Sequence, residues 1–319
     1  MLNPLAPIGN GAGVWPTRRP ALVAAGLLAA ASVALGATAS RAAEPRKVRY
    51  VDAHSHLFED MRADEEIAAF RRAGVGGVLI MWPDPYPLRT LADQNPGYVV
   101  PMISISADKT ILTEGSAAAF VRARDQMGIC GFGEFATRLL SNEKMNDAAS
   151  ISDPRRMKIY DAAEARGTPV NMHVSLAEPE TVAAYERIVK ARPHVPFILN
   201  HGGLTAGPDL LGRLLATYPN VYVELSGRLT PPNAGNPRPQ SALAEDGTLK
   251  PEWRALFERF PDRFMFGMDV QSIPSVEGIA GRVAGARAAF ASLPQALEEN
   301  IAWRNVSRVM KGCSGLPIG

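Results

Sequence analysis

Cysteine is nearly absent, with only Cys130 and Cys313 in 319 residues, too few to staple a disulfide-built scaffold. Cys130 lies in an apolar, strand-like stretch and Cys313 in the tail, so two unpaired structural thiols are expected. Aromatics make up 7% of the chain and histidines number five. The formal net charge is only +2, so there is no basic surplus of the kind that draws nucleic acid or anionic lipid. The first strand-like run leads into "DAHSHLFED", with no glycine where a dinucleotide-binding fold needs a glycine-rich phosphate loop.

One apolar run stands apart. "PTRRP" precedes the 17 uncharged residues "ALVAAGLLAAASVALGA", and small residues follow in "TASRA". That order is an export leader over residues 1–42, cleaved near Ala42. The pair Arg18 and Arg19 points to the twin-arginine route; Pro20 and Ala21 depart from its usual pattern and keep the Sec route as an alternative. The run only just reaches the lower limit for crossing a bilayer, so no stable membrane insertion is expected after cleavage. Removal takes three arginines and no acid, turning 34 basic and 32 acidic residues into 31 and 32. The expected destination is the periplasm or the exterior.

From residue 43 to 319 the chain alternates short apolar β-type runs with amphipathic helical stretches. The runs are "VRYVDAH", "GGVLIMW", "YVVPMISIS", "GICGFGEF", "TPVNMHV", "PFILNHG", "NVYVELS" and "RFMFGMDV". Helical periodicity covers residues 64–73, 115–127, 154–166, 180–191, 209–218 and 251–260, with Asp153 capping ahead of Pro154. Eight strands, each apolar on both faces and alternating with helices, predict a single-domain α/β protein, a closed parallel (β/α)8 TIM barrel. Residues 230–250, rich in Pro, Gly and Asn, form a long loop after the seventh strand, on the face where such barrels carry function.

Four of the five histidines fall at strand ends: His54 and His56 at the first, His173 at the fifth, His201 at the sixth. Glu134 ends the fourth run and Asp269 the eighth; His194 lies at the opposite rim and is given no role. In a closed barrel these ends meet. Residues two apart on an extended segment point the same way, so His54 and His56 can grip one ion while Ala53 and Ser55 face elsewhere. Imidazoles and carboxylates without a thiolate suit a divalent ion, zinc above all, with manganese, iron or nickel as alternatives. Such an ion lowers the pKa of bound water, and Asp269 is the natural proton acceptor. Arg138 and Arg228 fall on the same rim as candidate forks for a substrate carboxylate or phosphate. Glu224 and Ser226 read as barrel residues supporting the site.

The ordered set, with "DAHSH", "NHGG" and "FGMD", resembles the amidohydrolase superfamily of metal-dependent barrels, and most of all its amidohydrolase-2 branch. The closing "NIAWRNVSRVM" is similar to that branch's terminal segment. The resemblance implies that His54, His56 and Asp269 ligate a first metal. His173 and His201 would ligate a second, or, around a single ion, His173 would be a ligand and His201 would orient substrate or water. Glu134 stands where many members carry a carboxylated lysine, which leaves one or two ions open. Hydrolysis of a small molecule is the leading expectation, with nonoxidative decarboxylation as the alternative on the same scaffold. A non-catalytic metal-binding protein is more distant, and a homodimer is expected on general frequency.

Overall fold

A computed structural model describes residues 48–105, 112–136, 147–232, 240–313 and 316. The leader and Arg138 lie outside them. Eight parallel strands form one sheet in sequential order: β1 (Tyr50–His56), β2 (Val75–Trp82), β3 (Val99–Ile105), β4 (Gly131–Ala136), β5 (Val170–His173), β6 (Phe197–Leu199), β7 (Val221–Glu224) and β8 (Phe264–Met265). The last strand returns to the first. Ala53 N donates to Phe266 O at 2.9 Å, and Ser55 bridges Val270 in parallel. This is the (β/α)8 barrel, with each predicted run supplying one strand.

The helices in chain order are α1 (Ala63–Arg72), α2 (Pro85–Gln94), α3 (Ser116–Met127), α4 (Asp147–Ile151), α5 (Pro154–Glu164), α6 (Pro179–Lys190), α7 (Pro208–Thr217), α8 (Pro251–Arg259), α9 (Ile273–Glu277), α10 (Ile279–Phe290), α11 (Gln295–Glu299) and α12 (Asn305–Val309). Local chemistry explains several starts. Asp153 accepts the Arg155 amide ahead of Pro154, and Asp84 accepts the Tyr86 amide ahead of Pro85. In each case the proline occupies a position whose N–H has no helical partner. Among the described residues no helix is long and apolar enough to cross a membrane.

Two apolar layers hold the fold. Val78, Ile80, Phe132, Phe197 and Phe264 pack outward under the helices. Val51, Ala53, Leu79, Met81, Val100 and Met102 fill the barrel's interior, closed below by Val306, Met310 and Leu316. Each such large side chain, fully buried, contributes roughly 1.5–3 kcal/mol.

The expectation of two free thiols is corrected here. Cys130, just before β4, and Cys313, after α12, form a disulfide with Cα atoms 5.2 Å apart. The bond crosses the floor of the barrel, opposite the strand ends that carry the histidines. Its partners are 183 residues apart, and only the closed barrel makes them neighbours.

Candidate metal centre

Two strands reach the site by carrying one residue too many. In β1, Asp52 pairs with Val78 but Ser55 with Ile80, so Ala53 and His54 together oppose a single residue. Val51 and Ala53 face the interior, and the bulge flips the alternation so that His54 and His56 also face inward. Ala53 therefore shares the interior with the histidines, contrary to a simple two-residue alternation. In β4 the same device lies between Phe132 and Phe135, which pair with Val170 and Met172. Both phenylalanines stay in the outer layer and Glu134 enters the site. Gly133 makes this bend at φ +126, pressed on the Asn171 backbone where a Cβ has no room.

Six predicted residues converge. His54 Nε2 lies 3.0 Å from His56 Nε2. Glu134 Oε1 and Oε2 lie 3.4 Å from His54 and His56 respectively. Asp269 Oδ1 is 3.6 Å from His54 and 3.4 Å from His56. An ion bonded at about 2.0–2.2 Å holds neighbouring ligand atoms roughly 3.0–3.6 Å apart, so these four side chains are spaced as one coordination shell. Beside it, His173 Nδ1 meets Glu134 Oε1 at 2.7 Å, and His201 Nε2 stands 3.5 Å from the same oxygen. Glu134 thus belongs to two adjacent clusters, His54–His56–Glu134 and Glu134–His173–His201.

The donor set fits a divalent cation. His201 Nε2 is buried and has no hydrogen-bond partner among the described residues, and it faces the carboxylate oxygens of Glu134 and Asp269. Electrostatics point the same way. Burial works against charge on His54, but Glu134 and Asp269 outweigh it and raise its pKa well above 6.5. His56 is likewise opposed by burial and raised by Asp269 and Glu134. Burial would raise Glu134 and Asp269, yet His54 and the neighbouring imidazoles hold both well below the ordinary carboxylate range. The cluster retains anionic carboxylates and attracts positive charge.

The other candidates separate from this centre. Arg228, expected to present a fork to substrate, is 3% exposed. Its Nε, Nη1 and Nη2 donate to the carbonyls of His201, Gln240 and Gly202 at 2.7, 2.6 and 2.8 Å. Burial lowers its pKa from 12.5 to about 10, so it stays charged at neutral pH and braces the His201 turn. That turn needs bracing, since His201, Gly202, Gly203 and Leu204 all have positive φ. Arg138 falls outside the described residues. His194 is exposed and pairs with Glu164, far from the cluster in the fold.

Sequence reasoning overlooked several supports. Asn200 Nδ2 donates to Glu134 Oε1 at 3.0 Å, and Asn171 Nδ2 to Asn200 at 3.2 Å. Asp52 accepts from the amides of His54 and Met268 and from Ser55 Oγ, tying β1 to the turn bearing Asp269. The usable signal was their place in "VDAHSH", "VNMH" and "LNHG", beside or two residues from a ligand.

The "Amidohydrolase" family model Amidohydro_2 matches residues 88–310, a span that includes Glu134, His173, His201 and Asp269 but begins after His54 and His56. No curated protein matches this chain. Among solved structures, an uncharacterised TIM-barrel protein from Bordetella bronchiseptica superposes with a TM-score of 0.58 at 15% identity, covering 83% of this chain and 99% of its own. 5-Carboxyvanillate decarboxylase from Sphingomonas paucimobilis gives 0.54 at 13% identity, with the same coverages of 83% and 99%. A dihydroxybenzoic acid decarboxylase from Polaromonas, solved with manganese and 2-nitroresorcinol, gives 0.54 at 11% identity over 83% and 97%. At these identities the likeness is one of fold, and the family follows from the matched sequence span: the chain belongs to the amidohydrolase family.

Proposed function

We propose that this protein is an exported metal-dependent hydrolase acting on a small molecule. The observation that carries the reading is Glu134, whose carboxylate is shared by two adjoining ligand clusters. His54, His56, Glu134 and Asp269 would hold one divalent ion, zinc in the first instance, and His173 and His201 with Glu134 offer a second position. A bound ion would supply Lewis acidity and a water of pKa near about 7. The contacts of Asp269 support it as the proton acceptor: Oδ1 faces His54 and His56, while Oδ2 faces His201 and accepts from Gln271 Nε2 at 3.2 Å. Held ionised by its neighbours, Oδ2 takes a proton from the attacking water and returns it to the leaving group. His201, with an unpartnered Nε2, accepts a hydrogen bond or binds the second ion.

Nonoxidative decarboxylation is the second reading, favoured by the decarboxylases among the structural relatives. One experiment separates the two. Protein loaded with zinc or manganese is given lactones, esters, amides and carboxylated phenols in ¹⁸O-water. Hydrolysis places solvent oxygen in the organic product. Carbon dioxide release with no label there establishes decarboxylation. Protein purified from the periplasm that carries no transition metal would sink both.

Export rests on the leader's composition, and the Cys130–Cys313 bond supports it, since such bonds persist in oxidising compartments. N-terminal sequencing of the fractionated protein, expected to begin near Ala43, tests it.

A further inference from the structure

Glu224 is fully buried at the end of β7 and accepts four hydrogen bonds. Its Oε2 takes His54 Nδ1 at 3.0 Å, the His201 amide at 3.1 Å and Ser226 Oγ at 2.7 Å, while Oε1 takes the Ser226 amide. Gly267 leaves the space for this, since a Cβ there would run into the carboxylate. Ser226 Oγ also lies 2.7 Å from His201 Nδ1.

The protons can be counted. A carboxylate only accepts, so His54 carries a proton on Nδ1, and its neutral ring, the form that binds an ion, has the Nε2 lone pair on the metal side. The single Ser226 hydroxyl proton goes to Glu224, because nothing else in that contact can be shared with an acceptor-only oxygen. Ser226 Oγ must then accept from His201, which places the His201 proton on Nδ1 and leaves Nε2 bare. The bare nitrogen is the one that faces Glu134 and Asp269 without a partner.

We propose that Glu224, directly on His54 and through Ser226 on His201, is the positioning residue that sets both histidines as Nε2 acceptors toward the ion. The assignment rests on the metal-centre reading above and adds a definite role for His201: it is a ligand or a base, and it does not donate a hydrogen bond to substrate in its neutral form. Glu224 meets the Nδ1 side of His54 directly and that of His201 through Ser226, behind the Nε2 atoms that face Glu134 and Asp269. It acts by fixing ring orientation and tautomer, as carboxylates behind metal-bound imidazoles do.

Two measurements on the full mature chain test this. Zinc affinity is determined by competition with a chromogenic chelator for wild type and Glu224→Gln, with circular dichroism confirming the fold. Glu224→Gln is expected to raise the Kd by about 10–100-fold; a folded variant with wild-type Kd overturns the proposal. Long-range ¹H–¹⁵N spectra of labelled, metal-free wild type and Ser226→Ala, at a pH where the ring is neutral, read the tautomer without zinc. Wild-type His201 is expected to show its proton on Nδ1, and Ser226→Ala a mixture; a wild-type proton on Nε2 overturns the proposal even if Glu224→Gln does not fold. Wild type that binds no zinc, yet shows the Nδ1 tautomer, overturns the metal-centre reading and leaves the proton count standing.

Discussion

Glu66 offers a sharp test of how burial controls this protein's stability. It lies on the inner face of α1, 1% exposed, and neither carboxylate oxygen has a hydrogen-bond partner among the described residues. Burial is the main cause that raises its pKa, from 4.5 to about 8, with nearby Asp52 adding to the rise and His56 opposing it. The folded protein therefore keeps a proton on Glu66 that the unfolded chain gives up. For a group raised in this way, stability is fully present below the unfolded value of 4.5 and is lost as pH rises through the folded value near 8. Linkage at about 1.4 kcal/mol per pH unit gives a loss of roughly 3.5 kcal/mol between about pH 5 and about pH 8. Glu66→Gln keeps the shape and one polar head but cannot ionise, so the loss should vanish. Asp52, also buried and raised to about 7, is present in both proteins and cancels in the difference apart from its coupling to Glu66. Urea unfolding of wild type and variant across this range reads the effect directly. The variant should gain about 3–4 kcal/mol on wild type from the acid to the alkaline end. Parallel stability curves would refute the reasoning, showing that Glu66 finds water or a partner when charged.

Three further outcomes follow from the geometry. Cys313→Ser removes a bond whose partners are 183 residues apart. Chain-entropy arguments place its contribution at up to about 5 kcal/mol, so the urea midpoint should fall while metal content holds. Arg228→Met should destabilise by roughly 3 kcal/mol, since three carbonyls lose a charged donor. A purely substrate-binding Arg228 would leave stability unchanged and raise only KM. Zinc affinity should rise with pH, because His54, raised above 6.5 by Glu134 and Asp269 against burial, must lose a proton to ligate. In metal-free protein the same shift stabilises below that unfolded value and fades as pH rises through the folded one, so the melting temperature gained on adding zinc should widen with pH. A gain that does not change with pH would refute it.

The barrel was legible because its strands announce themselves by composition. "GGVLIMW" is apolar on both faces, as a strand enclosed on both sides must be. Helices with alternating faces, such as α6, were found within a residue or two of their ends. Six were missed, and the two longest of them show physical reasons. α2 begins Pro-Tyr-Pro, which reads as a turn until Asp84 is seen capping it, and α10 is so rich in Ala and Gly that its faces barely differ. The ligands were legible as types at strand ends, since eight ends share one rim. What lay hidden was distance and direction. Nothing in the sequence brings Cys130 to Cys313, or shows that Arg228 turns inward to the His201 carbonyl. The bulges in β1 and β4 are equally silent, because an extra residue changes facing without changing composition.

Those two extra residues divide the gene into regions of different tolerance. A single-codon deletion at Ala53, or at Gly133, would leave the residue inventory almost intact and yet turn a ligand from the cavity toward the helices. Beyond Arg228, the stretch running to α8 carries no metal ligand among the described residues. Insertions and deletions accepted over evolutionary time should therefore accumulate after β7, altering which molecules enter, and be purged from β1 and β4. Lineages of this protein can be expected to change substrate by rewriting length in one place while preserving it, codon for codon, in the other two.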